Sequence, residues 1–322
     1  LKRSRHLSGF SHNGTRVRKK KNLDMSKSDE LSVTHVLGRQ VSYSHEGVEL
    51  LNYVYDNRMD AKECPTPYVH SLRTLTGGSL TNNRPHDHRW HKGLTMTCAE
   101  LNGHNFWGGP TYVRDKGYEQ LGNVGRMDHV AFTRMDGDGF TETLRWVTPC
   151  GACWVEETRG LRVASIDEAA GSWTLELSFQ LTNVSGILLE WGSPTTVGRP
   201  NAGYGGLFWR GPRDFTKGTI LASDGREGEE MMGQTSPWLA YSGAHDSRDG
   251  GATLLFVDGK DNPPTKWFCR SGPFAAVSAS FMFDEVYEQA PEATIELEYR
   301  IVILEGQRKA EELEKKANGV RQ

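Results

Sequence analysis

The sequence predicts an all-β protein, a large antiparallel β-sandwich followed by a short C-terminal helix. Three observations predict it. Apolar and polar residues alternate strictly in two long segments: Trp173, Leu175, Leu177, Phe179 and Leu181 with polar residues between them, and Ile295, Leu297, Tyr299, Ile301 and Ile303 likewise. That period of two marks half-buried strands. The chain carries 36 glycines and 13 prolines, the composition of many tight turns. Helical spacing appears convincingly only once, near the C-terminus.

Taken in order, residues 1–24 hold eight basic residues and the single acid Asp24, with no apolar run behind the charges. This reads as a disordered or mis-assigned leader, with Met25 as the natural start, and not as a secretory signal. Removing it from the totals of 38 basic and 41 acidic residues leaves 30 and 40, a balance that argues against nucleic acid as a partner. From 25 to 305 a single sandwich domain is expected, with shorter strands around 41–55, 93–101, 128–135, 140–147, 153–164, 217–222, 252–257 and 275–283. Asp136-Gly137-Asp138-Gly139 and Asp258-Gly259 read as turns. Residues 306–322 form a charged helix and tail, with Ala310, Leu313 and Ala317 at helical spacing and Gly319 as a stop.

No apolar run reaches the roughly 18 residues of a membrane-spanning helix. Five scattered cysteines make no disulfide framework, and the lone Cys150-Gly-Ala-Cys153 lacks a second pair, so they read as thiols of a cytoplasmic protein.

Chemistry concentrates in Pro85-His86-Asp87-His88-Arg89-Trp90-His91-Lys92-Gly93. Three of eleven histidines fall within six residues, and such a cluster is costly to bury without partners. If extended, this stretch projects His86 and His88 from one face and Asp87 from the other. The imidazoles of His86, His88 and His91 suit proton transfer without a metal; the alternative is a divalent transition metal held by the same three, with an oxidoreductase activity. No cofactor is otherwise indicated.

Tyr68 and His70 upstream, and Trp107 downstream, could reach the same pocket. Aromatic faces beside His and Asp87 suit sugar rings, which stack on indole while their hydroxyls meet polar groups. In the Gly-rich segment 192–213, Arg199, Tyr204, Arg210 and Arg213 are candidates for holding a ligand. Glu190, with Glu156 and Glu157 as alternatives, is the candidate carboxylate for acid–base work. Asn262, before a double proline, and Trp267 complete the candidate rim.

These blocks together (Pro67-Tyr68-Val69-His70, the His-Asp-His stretch through Leu94, Arg199 to Arg213, and Asn262-Pro263 with Trp267-Phe268) resemble a bacterial family commonly labelled methane oxygenase PmoA, or DUF6807, over roughly residues 40 to 305. The family often carries a further histidine where this chain has Trp90. The label implies an oxygenase, but the membrane subunit that lends its name spans a bilayer, whereas this chain has no segment to do so as a helix. The resemblance implies instead a galactose-mutarotase-like super-sandwich associated with sugar catabolism, in which a His acts as general acid and a Glu as general base. The expected partner is a small sugar or sugar derivative, with neither nucleic acid nor membrane. A non-catalytic sugar-binding module is the remaining alternative.

Overall fold

The structure, a computed structural model, describes residues 31–321 apart from Asn57 and Ser247. The leader predicted at 1–24 lies outside the described residues. Two large antiparallel sheets dominate. The first runs Leu31–Val36, Gln40–His45, Val48–Val54, Tyr68–Leu72, Leu94–Leu101, Gly205–Arg210, Ala276–Ser280, Lys266–Arg270 in spatial order, with Leu189–Gly192 and His104–Phe106 paired to the Leu94–Leu101 strand and Tyr287–Gln289 paired to Leu189–Gly192. The second runs Thr219–Ala222, Trp238–Ala244, Gly251–Asp258, Thr294–Glu305, Ser172–Asn183, Cys153–Asp167, Gly139–Val147, Arg126–Met135. The sandwich expected from the alternation is therefore the observed architecture. The first sheet is called the site sheet below and the second the facing sheet.

Between the sheets lies one continuous apolar cluster that takes Trp146, Trp173, Leu175 and Ile301 from the facing sheet and Tyr53, Met96, Trp209 and Trp267 from the site sheet. Strand register follows the pattern: Leu175, Leu177 and Phe179 stand opposite Ile301, Tyr299 and Leu297. At its end the Thr294–Glu305 strand departs from strict alternation, because Ile301, Val302, Ile303 and Leu304 are all buried. The helix Ala310–Val320 accounts for this. Leu313 and Ala317 cover Val302 and Leu304 on the outer face, and Glu314 accepts a hydrogen bond of 2.7 Å from the Trp238 indole. The helix starts four residues later than Gly306, which sits at φ +71° as the chain leaves the strand, and continues through Gly319. Ala310 is exposed. The turn at Asp136 closes with its N–H donating to the Gly139 carbonyl at 2.8 Å.

The extended geometry considered for the histidine stretch does not occur. Residues 84–91 are not a strand: the N–H of His88 donates to Pro85 O at 3.1 Å and that of His91 to His88 O at 3.0 Å, so two turns follow one another. Within the Gly-rich segment 192–213, regular structure also appears. Gly205–Arg210 is a fully buried central strand of the site sheet, paired with Leu94–Leu101 on one side and Ala276–Ser280 on the other. Gly206, at φ +71°, lets the strand run against the Ala279 carbonyl.

The histidine loop is pinned at its neck. Gly93 N–H donates to Asn82 O at 2.8 Å, Arg210 N–H to Gly93 O at 2.7 Å, and Asn82 N–H to Arg210 O at 2.9 Å. Gly93 itself sits at φ +42°, where a Cβ would collide with the Val69 carbonyl oxygen. Gly93→Ala is expected to destabilise the fold by about 2–4 kcal/mol, from left-handed strain and backbone overlap together. Urea unfolding measures this, and a loss within about 0.5 kcal/mol would contradict the close approach.

Candidate active site

Phe208 and Trp209 are neighbours on one strand and so face opposite ways. Trp209 enters the core between the sheets, whereas Phe208 joins Ala99, Trp107 and Ala276 on the outer face of the site sheet. On that outer face lies a cavity of about 410 Å³, walled by His88, Trp90, His91, Trp107, Tyr118, Arg199, Tyr204, Phe208, Phe268, Arg270 and Phe274, with Pro110 and Pro273. Its size matches a small-molecule site. The two glycines after Trp107 shape one wall. Gly108 (φ +98°) passes the Glu63 carbonyl, and a Cβ on Gly109 would lie 2.5 Å from the Trp90 ring.

The two cavity histidines are held by one ion pair. Arg210 donates to His91 Nδ1 at 2.8 Å and to Asp87 Oδ2 at 3.1 Å. His88 Nδ1 lies 2.9 Å from the same Asp87 oxygen. A guanidinium can only donate, so His91 Nδ1 is the acceptor and the ring proton sits on Nε2. An ionised carboxylate can only accept, so His88 carries its proton on Nδ1 and, when neutral, has a lone pair on Nε2. The two tautomers are thus opposite. The rings stack with centroids 4.6 Å apart and planes 25° apart. Both Nδ1 atoms turn toward the Asp87–Arg210 pair, so both Nε2 atoms turn away from it together.

The electrostatics agree with this assignment. Burial resists ionisation of Asp87, but hydrogen bonds from His88 and Arg210 and the guanidinium charge outweigh it and hold the carboxyl well below its usual range. Burial, reinforced by the positive charge of Arg210, pushes His91 well below 6.5 and keeps it neutral. Phe274 covers the guanidinium face of Arg210, 3.8 Å from the ring centroid.

Lys92, next in the chain, is fully buried and points away from the cavity walls. Its ammonium donates to the carbonyls of Glu63, Cys64 (2.9 Å) and Trp90 (3.4 Å). Burial brings its pKa down to about 8. Glu63 in turn takes both forks of Arg84, at 2.6 and 2.8 Å. Lys92 and Arg84 thereby clamp the histidine loop onto the 61–64 turn.

Of the residues singled out from the sequence, His88, His91, Trp107, Arg199 and Tyr204 line this cavity, and Asp87 and Arg210 stand directly behind it. His86 does not line it; it is exposed and accepts a hydrogen bond from Arg213 through Nδ1. Tyr68 is buried beside Asn83, and His70 contacts Thr81 at 2.9 Å through Nδ1. Burial, with the charge of Arg73, lowers the pKa of His70. Glu190 lies on the exposed face of its strand, opposite Glu288. Asn262 shapes a turn, with its amide donating to Asp258 and to Glu298 O. Trp267 packs into the core and donates to Ser236 O, so that Phe268 and Arg270 on the same strand face the cavity instead. Among the described residues that wall the cavity there is no carboxylate. Glu156 is exposed beside Arg145, and Glu157 is buried against Arg159.

The histidines do not assemble into a metal site. Among the described residues, three metal-ligating atoms converge only at His45, Glu46 and Glu168. His86 and His91 each present Nδ1 to a guanidinium, which would repel a dication, and His86 is outside the cavity.

Residues 40–318 match the family described as a family of unknown function, DUF6807. The chain belongs to this family. Among curated proteins no sequence match is found. Three solved structures are similar in shape: a mutant of the heparan sulfate lyase HepC from Pedobacter heparinus (8% identity, TM-score 0.43, 91% of this chain and 38% of that one), HI1317 (6%, 0.32, 84% and 99%) and a variant of a glycoside hydrolase family 97 enzyme from Pseudoalteromonas sp. strain K8 (5%, 0.27, 85% and 34%). The chain thus spans about two fifths of the lyase's length.

Two outcomes follow from this geometry. An unfolded chain takes up a proton at His91 near pH 6.5 that the folded chain refuses, so stability is retained above that pH and lost as pH falls below it. Between pH 7.5 and 5.5 the loss through this residue is about 1.4 kcal/mol, and His91→Gln, which can still accept from Arg210, should remove it; urea unfolding at the two pH values checks this. Lys92→Met fills the same space but strands three carbonyls, and should cost about 2–4 kcal/mol in the same measurement.

Proposed function

We propose that this member of DUF6807 is a carbohydrate-active enzyme that moves a proton on a sugar-sized ring, using His88 as base and His91 as a neutral hydrogen-bond donor. One observation carries the reading: two stacked imidazoles of opposite tautomer have their Nδ1 atoms engaged by one ion pair and their Nε2 atoms turned from it together. A base and a donor on one side of a ring compound suit a carbon acid and the oxygen next to it. His88 Nε2 would take the proton from carbon. His91 Nε2–H would hold the oxygen on which negative charge develops, strengthened by Arg210 at its other nitrogen. Because His91 is neutral, its part is to hydrogen-bond and not to give up its proton, which would leave an imidazolate. The proton on His88 then returns to the neighbouring carbon of the enediolate while the hydroxyl proton passes between the two oxygens, an isomerisation; return to the original carbon from the same face restores the substrate.

The aromatic walls support a sugar as the ring compound. Trp107, Tyr204, Phe268 and Phe274 offer flat apolar faces to C–H groups. The absence of a carboxylate among the described wall residues disfavours a glutamate base, and Glu190 has no part in this proposal.

Incubating the protein in D₂O with a panel of aldoses, ketoses and their acids, followed by NMR, tests it. Deuterium should enter a carbon adjacent to a carbonyl, or one sugar should become its isomer with the carbonyl on the neighbouring carbon. His88→Ala should slow this about 10²–10⁴-fold, and His91→Ala by a similar order. Exchange at the background rate across the panel, or full activity in both variants, would reject the assignment.

A further inference from the structure

The ligand of this cavity is anionic: we infer that Arg199 is the counter-ion for a carboxylate, sulfate or phosphate carried by the sugar. This rests on the sugar reading above and narrows it. The charge on the described cavity wall is one-sided. Arg199 and Arg270 line it, and no Asp or Glu does. Of the two, Arg270 has a partial partner in Glu229, at 3.5 Å. Arg210 behind the wall is already matched by Asp87.

Arg199 is different. It is half-buried, and none of the ion pairs among the described residues includes it. Its guanidinium donates to the Tyr118 hydroxyl and lies 4.7 Å from the centroid of the Tyr118 ring. Tyr118 meets Tyr204 hydroxyl to hydroxyl at 2.8 Å, and Tyr204 packs on Trp107 with centroids 4.5 Å apart. The guanidinium is thus fixed by aromatic groups and one neutral hydroxyl beside the surface on which a ring would stack. Such an environment holds the guanidinium in place without supplying an anion. A ligand that brings its own anion would satisfy the remaining N–H donors in the two-pronged geometry that a guanidinium prefers.

Calorimetric titration of the full chain with D-glucose, D-glucuronate, D-glucose 6-sulfate and D-glucose 6-phosphate, and with the galactose series, tests this. At least one charged sugar should bind 10-fold or more tightly than its neutral parent, and raising the salt concentration should narrow the gap. Arg199→Gln should bring that ratio close to one, and Arg199→Lys should keep part of it; circular dichroism confirms that both variants fold. The charged arm that binds best identifies the anion. Equal affinity for charged and neutral sugars, or an undiminished ratio in Arg199→Gln, overturns this inference alone. Failure of every sugar to bind overturns it together with the sugar reading.

Discussion

A guanidinium has donors and no acceptor, and the site follows from that asymmetry at Arg210. Because it must donate, His91 Nδ1 must accept, and the ring proton is confined to Nε2. Because its second prong is on Asp87, that carboxylate stays ionised and accepts from His88 Nδ1. One residue thereby sets two tautomers in opposite senses. A lysine could supply the charge, but it lacks the planar fork that reaches both partners at once. Its position on a central strand matters as well. Arg210 is fixed by sheet pairing with Ala276 and by a backbone hydrogen bond to Gly93, so the fork cannot drift away from the loop it organises.

The loop is held from below by groups with no part in the cavity. Lys92 donates to three carbonyls and Arg84 grips Glu63, so the turns carrying Asp87 and His88 stand on a clamp of charge-assisted bonds. An ammonium buried among carbonyls is costly to place there, since burial alone lowers its pKa. What it provides is position. The residues between the two turns would otherwise sample many arrangements, and the opposed tautomers of His88 and His91 depend on a fixed ring orientation.

The fold was legible because its signal is redundant: alternation recurs in segment after segment, and a misread strand changes little. The site depended on single residues, and there the reading was mixed. The histidine cluster stood out because ionisable side chains so close together need partners, but sequence could not tell a strand from two turns. The turns bring Asp87 and His88 to one ion pair and leave His86 outside. Trp267 and Phe268 illustrate a second limit. Alternation says that neighbours face opposite ways, but when both are large and aromatic it cannot say which of them faces the core. Trp267 proved to be the buried one, which gives Phe268 and Arg270 to the cavity. The wall residue Tyr118 arrives from the short strand Gly117–Glu119, paired with Thr111–Val113, and Phe274 from a loop, and nothing in their local sequence announces the meeting. Arg210 was singled out in a Gly-rich segment whose composition gave no sign that it ends a central strand, where Gly206 serves close packing.

A second buried polar network explains how the facing sheet contributes to a site it does not touch. Arg159 on the facing sheet pairs with Glu157 at 2.6 Å, donates to the Tyr53 hydroxyl at 3.1 Å and reaches the Pro67 carbonyl at 3.4 Å. Tyr53 donates to the buried Glu142, whose other oxygen meets His129 at 2.5 Å. Thr95 donates to the same Pro67 carbonyl at 2.9 Å. Pro67 precedes the strand Tyr68–Leu72 that leads toward the histidine loop, and Thr95 is the second residue of the strand Leu94–Leu101 that leaves it. Desolvating two carboxylates and a guanidinium offsets most of their mutual attraction, so such a network adds little net stability compared with an apolar core. It does add directionality. Apolar surfaces can slide past one another at small cost, whereas parting the Tyr53 hydroxyl from Glu142 and Arg159 would leave buried polar groups without partners in a dry interior. The two sheets are therefore fixed in one relative position beneath Pro67, and the outer face of the site sheet inherits that rigidity.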